Sequence, residues 1–271
     1  MSPIYVPGKV VLQKQFTQQG YMWEFPARYG LWSPANIATA LWLDAADTGT
    51  VITESGAVSQ WNDKSGNGRN ATQSTAGNRP TYTANGLTSK NVITFNAGSS
   101  TRLSSALGAA SAIESSFTVA NASSANTGQQ SLLASSAAGG RQFRLSSTTA
   151  SFLSQATALL GTSSSNAPKD AAIIFNLAYS GGGTSLSFFF NGTSAGTATT
   201  GNSVSGGGTT SIGAQGGGSE GLTGYIAEIV VLQSAPSTDT RQRIEGYLAH
   251  KWGLTANLPA GHPYKTVGPT P

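Results

Sequence analysis

The chain of 271 residues is 38% hydrophobic and only 10% charged, has 34 glycines and no cysteine, and carries a net charge of +4. Such a chain has enough apolar material for one large core, and the absence of cysteine excludes disulfide stapling, Cys-ligated zinc and thiol catalysis. Its basic residues are scattered, with no run interleaved with aromatics, and no stretch reaches the roughly 18 apolar residues of a membrane span, so neither nucleic acid nor a membrane is an expected partner.

Residues 1–36 differ from the rest. They combine Tyr5, Phe16, Tyr21, Trp23 and Phe25 with the basic Lys9, Lys14 and Arg28, and prolines interrupt them without a sustained period of 2 or 3.6. The opening MSPIYVPGKVVLQKQF has no basic stretch followed by an apolar one, so no secretion signal of the usual kind is expected. The segment reads as an extended docking arm, because buried aromatics contribute much interface energy at little entropic cost. The competing reading is that these aromatics fold back on the chain's own sheet.

From Ala40 onward, short apolar runs alternate with Gly, Asn, Asp and Ser. Strands are predicted at ALWLDA, AVSQW, NVITF, SFTVANAS, QQSLLAS, RQFRLS, DAAIIFNLAY, SLSFFFNG, TTSIGA and GYIAEIVVL. About ten strands suit two packed antiparallel sheets. In SLSFFFNGTSAG, Asn191 and Gly192 supply the two positive-φ positions of a type I′ hairpin. One helix is predicted over residues 237–252: Pro236 and Ser237 open it, Ile244, Tyr247, Leu248 and Trp252 form its apolar stripe, and Gly253 stops it. The reading is thus an all-β protein with an arm over 1–36 and one sandwich domain over 37–271.

The stretch from ALWLDAADTGTVITESGAVSQWNDKSGNGRNATQ, through NRPTY and NVITF, to the closing GYIAEIVVLQSAPSTDTRQRIEGYLAHKWGLTANLPAGHPY resembles the laminin-G/concanavalin A-like jelly-roll domains of bacteriophage virion proteins. The resemblance implies a two-sheet antiparallel jelly-roll sandwich and a role as glycan binder, adhesion module or structural virion part.

The stretch SQWNDKSGNG poses a choice for Trp61, which is either a core anchor or a sugar-stacking platform beside a metal-binding turn. The turn itself is explained locally: Asp63 can accept backbone N–H groups near Ser65, and Asn67-Gly68 is a turn dipeptide. Calcium wants about six to eight oxygen ligands, and the only nearby carboxylates are Asp44, Asp47 and Asp63, so calcium is a weak expectation and no other cofactor is expected.

Glycosidases on such a fold place catalytic carboxylates at alternating positions of one strand, a pattern not found here. Glu228 is the one strand-centred carboxylate; alternation puts Ile226 and Val230 on its face, which marks it as a buried structural acid. His250 and His262 read as surface or turn residues. Gly-x-Ser-x-Gly occurs at residues 192–196 and 217–221 but lacks the strand-to-helix setting of a nucleophile elbow, and the Gly triplets join strands, so they are not phosphate loops. No enzyme is expected.

Two functional readings remain. In the first, a capsid decoration or head-surface subunit grips the major capsid protein or another virion protein through its arm. In the second, a tail-fibre or tail-tip adhesin binds host surface glycans. Both place the protein on the virion surface after synthesis in the host cytoplasm, alone or as a homo-oligomer, and the absence of a heptad stretch weighs against a fibre trimer.

Overall fold

A computed structural model describes residues 14–17, 20–23, 32–107, 115–135, 141–146, 149–154, 159–179, 185–199 and 208–271. The strands are β1 (Lys14–Thr17), β2 (Gly20–Trp23), β3 (Leu41–Asp44), β4 (Val51–Glu54), β5 (Ala57–Trp61), β6 (Ala71–Thr72), β7 (Thr81–Leu87), β8 (Lys90–Phe95), β9 (Leu103–Ser105) and β10 (Ser115–Ala122). They continue as β11 (Gln130–Ser135), β12 (Arg141–Leu145), β13 (Thr149–Ser154), β14 (Leu159–Asn166), β15 (Ile173–Tyr179), β16 (Ser185–Phe190), β17 (Thr193–Thr199), β18 (Thr210–Ile212) and β19 (Gly224–Leu232), followed by the helix α1 (Thr238–Trp252).

All pairings among the described residues are antiparallel, and those of β3 to β19 form two layers. One runs β17-β16-β15-β10-β19, after which β19 is shared between β3 and β8, and β8 pairs with β7. The other runs β4-β5-β6-β9-β18-β11-β12-β13-β14. A single β5–β7 pair, Ala57 with Thr81, joins them at one edge. At the other edge Ser164 Oγ donates to Ala195 O at 3.0 Å, and a Cβ on Gly196, whose φ is +118°, would fall 2.5 Å from that hydroxyl.

Apolar residues of both layers meet between the sheets: Leu43, Phe95, Phe175 and Ile229 from the first, and Trp61, Leu103, Leu133 and Phe143 from the second. Phe143 and Phe188 touch across the gap with ring centroids 6.5 Å apart. The outer face of the first sheet is also apolar, through Trp42, Val92, Phe117, Val119 and Val230, and Ile244, Leu248 and Trp252 of α1 cover it. This is the β-sandwich of jelly-roll, lectin-like type expected from the sequence, with its single helix against one face.

Local chemistry explains the elements that position this frame. Ser237 caps α1 by accepting from the Thr240 N–H at 3.1 Å, and Gly253 ends it at φ 69°. Asn191 and Gly192 take φ of 50° and 77° at the β16–β17 turn, where the Asn191 side chain also accepts from the Ile174 N–H at 2.9 Å.

Within the expected arm, β1 and β2 form a short ladder with Lys14 opposite Trp23 and Phe16 opposite Tyr21. Tyr5, Lys9, Phe25 and Arg28 lie outside the described residues. Trp32 and Pro34, within the expected arm, are buried; Trp32 belongs to the cluster beneath α1 and its ring meets Tyr247 edge-on at 6.2 Å. Trp32 thus packs with the helix that covers the first sheet.

Candidate functional site

Trp61 is wholly buried between the sheets. Simple alternation would put it on the face opposite Val58, but both point inward because Ile52 pairs with Gln60 and Thr53 with Val58, leaving Ser59 as an extra residue on β5. Gln60 consequently faces outward, over the tryptophan.

Asp63 organises the turn that follows. Its Oδ1 accepts from the N–H groups of Trp42 (3.0 Å) and Ser65 (2.9 Å), and its Oδ2 from Ser65 Oγ (2.7 Å) and the Arg69 N–H (3.0 Å). Asn67 Nδ2 donates to Thr39 O at 2.9 Å, Lys64 N–H to Trp42 O at 2.8 Å, and Gly68 supplies φ +68°. The turn is a clamp between β5 and β3. Asp63→Ala is expected to cost about 2–3 kcal/mol by stranding these donors, with a fall in melting temperature that added calcium or chelator does not alter.

The carboxylates considered for calcium are committed elsewhere. β3 pairs with β19 and not with β5, and Lys64 Nζ lies 3.0 Å from Asp44 Oδ2 and 2.7 Å from Asp47 Oδ2. The Lys64 hydrogen bond holds Asp47 below the usual carboxylate range. Burial pulls Lys64 down, but bonds to Asp47 and the charge of Asp44 outweigh it and raise its pKa. Among the described residues no three His, Cys, Asp or Glu side chains form a set that could hold a metal.

Glu228 is fully buried under α1. Its Oε1 accepts from Trp42 Nε1 (2.8 Å) and Tyr247 OH (2.9 Å), and its Oε2 from Trp252 Nε1 (2.7 Å) and Lys251 Nζ (2.7 Å). Lys251 also reaches Asp44 Oδ1 at 2.6 Å. Burial pushes the Glu228 carboxyl up, opposed by the Lys251 ammonium. It shares its face with Val230 but not with Ile226, which points into the inter-sheet core. The expected alternation fails because Val119 pairs with Glu228 and Ala120 with Ile226, leaving Ala227 as an extra residue. The acid is a tie between sheet and helix.

The imidazoles are structural in different ways. His250 is exposed, with Nε2 2.9 Å from Tyr264 O, whereas His262 is buried with Nε2 3.2 Å from Glu245 Oε2, a carboxylate already held by Arg241 at 2.7 and 2.8 Å. Ser194 of the first Gly-x-Ser-x-Gly string sits on β17, and Ser219 of the second lies in the loop before β19. Neither occupies an elbow.

A groove opens on the outer face of the second sheet, across β4, β5, β6 and β9, with a volume of about 640 Å³. Its floor is the reverse of the core, since inward Val51, Trp61, Ala71 and Leu103 have Ile52, Gln60, Thr72 and Ser104 as outward neighbours. Ile52 is 46% exposed, an unusual setting for an aliphatic in so polar a face. Arg79 and Arg102 line the rim. Arg79 is tied to Glu54 Oε2 at 2.6 Å and to Gln73 O at 2.9 Å, and Gln73 Nε2 donates to Arg102 O at 3.1 Å. Glu54 is the one carboxylate of the lining. Sequence reasoning singled out none of these residues; the available signal was the pair Val51-Ile52 in VITE, which alternation sets on opposite faces so that one aliphatic must point outward.

No family model matches the chain, and no curated protein does. Solved structures share the fold at low identity. The receptor binding domain of botulinum neurotoxin C/D mosaic serotype is 11% identical with a TM-score of 0.54, covering 77% of this chain and 51% of its own. The botulinum neurotoxin serotype D binding domain is 10% identical at TM-score 0.56, covering 79% and 52%. The binding domain of Paraclostridial Mosquitocidal Protein 1 is 9% identical at TM-score 0.54, covering 77% and 52%. The chain spans about half the length of these proteins.

Proposed function

We propose that the chain is a non-catalytic glycan-binding module on a bacteriophage particle, contacting host surface polysaccharide through the groove over β4, β5, β6 and β9. The groove carries this reading. Its volume of about 640 Å³ suits a short oligosaccharide. Hydroxyl and amide side chains on its floor match the hydroxyls of a sugar, and exposed Ile52 offers an apolar contact to the C–H face of a ring. Glycoside hydrolysis calls for two carboxylates about 5–9.5 Å apart, and the lining has Glu54 alone, engaged by Arg79. Kinship in fold with receptor-binding domains of toxins supports a binding role.

Gln60→Ala and Ser104→Ala should each leave stability within about 0.5 kcal/mol, because neither side chain enters the core, while weakening glycan binding about tenfold. Melting curves and titration against capsular and cell-wall polysaccharides measure both. Binding that survives the double variant unchanged would refute the groove.

The phage setting rests on the sequence resemblance, with the aromatic and basic arm as the means of attachment. The arm equally favours a second reading, a head-surface subunit whose sandwich is purely structural. A truncation beginning at Trp32 keeps the buried ring and should melt like the full chain, yet fail to bind particles lacking the protein. Full decoration by the truncated chain would remove the arm from this role.

A further inference from the structure

We infer that the groove selects a glycan bearing a carboxylate, with Arg102 as the residue that recognises it. This deepens the glycan-binding reading and rests on it. The two rim arginines are not equivalent. Arg79 has its charge met by Glu54 and also donates to Gln73 O and Ser74 O, so it serves as a wall. Arg102 has no carboxylate partner among the described residues; its Nη1 donates to Ser100 O at 3.0 Å, and the guanidinium lies beside Gly218, where a Cβ would come within 2.9 Å. The lining therefore retains one uncompensated positive charge in a chain only 10% charged.

The surroundings favour an anion that arrives with the ligand. Arg102 is partly withdrawn from water, and a guanidinium so placed is stabilised by a charge-assisted bond. Ser104, two residues on along the same face, lines the groove beside it. A planar fork of N–H groups matches a carboxylate in two parallel bonds, which a lysine in that place would not do. The sugar's hydroxyls would then meet Gln60, Thr72 and Ser104.

The experiment titrates the full chain with trigalacturonate and with sialyllactose, each beside its carboxyl-reduced counterpart, and with a sulfated trisaccharide. At least one carboxylated sugar is expected to bind about tenfold or more tightly than its reduced form and than the sulfated one. Arg102→Gln should erase that preference while leaving residual affinity, and Arg102→Lys should restore part of it; melting curves identify any variant that fails to fold, in which case the Lys variant decides. Equal binding of carboxylated and reduced sugars, or of the sulfated one, would overturn the inference and leave the groove intact as a glycan site. Absence of binding by every form would sink both.

Discussion

Trp61→Ala is expected to destabilise the protein by about 3–5 kcal/mol, since it empties a fully buried indole site in the middle of the sandwich. The loss should be the same with or without sugar or calcium. Trp61→Phe should cost clearly less than Trp61→Ala, because the ring face is largely kept and the buried Nε1 has no hydrogen-bond partner to lose. Urea denaturation of the three proteins tests this. A Trp61→Ala variant with an unchanged midpoint and abolished sugar binding would mean that the ring is a stacking platform and that its placement between the sheets is wrong.

Glu228→Ala should have an effect of the same size, about 3–5 kcal/mol, for a different reason. Removing the carboxylate strands two indole N–H groups, takes the acceptor from the Tyr247 hydroxyl, and leaves the Lys251 ammonium with Asp44 as its one carboxylate and the Tyr247 oxygen as its other acceptor. Glu228→Gln keeps the volume and one acceptor oxygen but turns an amide N–H₂ towards donors, so it should also unfold early. Circular dichroism on heating reads both. If a polysaccharide were hydrolysed by the wild type and not by a Glu228→Gln variant of unaltered melting temperature, the acid would be catalytic and not a tie.

Much of the fold was legible because its signals are local. The caps of α1, the Asn191-Gly192 turn and the apolar strands at β3, β5, β8, β10, β15 and β19 each follow from residues a few positions apart. The strands β4, β7, β13 and β14 were missed for two reasons: VITE is made of strand formers but is only four residues long between turns, while TYTANGL, TASFLS and LLGTSSSN mix strand formers with Gly, Asn, Ala and Ser that serve equally in loops. Alternation failed at Ser59 and Ala227, where one extra residue reverses the face of everything beyond it. The clamp of Asp63 was anticipated in kind, but not its reach to β3. The groove stayed hidden because Ile52, Gln60, Thr72 and Ser104 come from four strands and share a face only after folding.

The extra residue at Ser59 bears on how this surface can diversify. Substitutions at outward positions such as Ile52, Gln60, Thr72 and Ser104 are separated from the core by the thickness of the sheet, so a lineage can exchange them one at a time and drift towards new ligands. Loss of the bulge at unchanged length has no such freedom. If Ser59 were paired like its neighbours, strict alternation would turn the indole out to solvent and Gln60 into the core. Deleting Ser59 would instead leave Val58 opposite Thr53 and Gln60 opposite Ile52 in an unbroken ladder with the indole still inward, so loss of that one residue is expected to be tolerated where loss of the bulge at unchanged length is not.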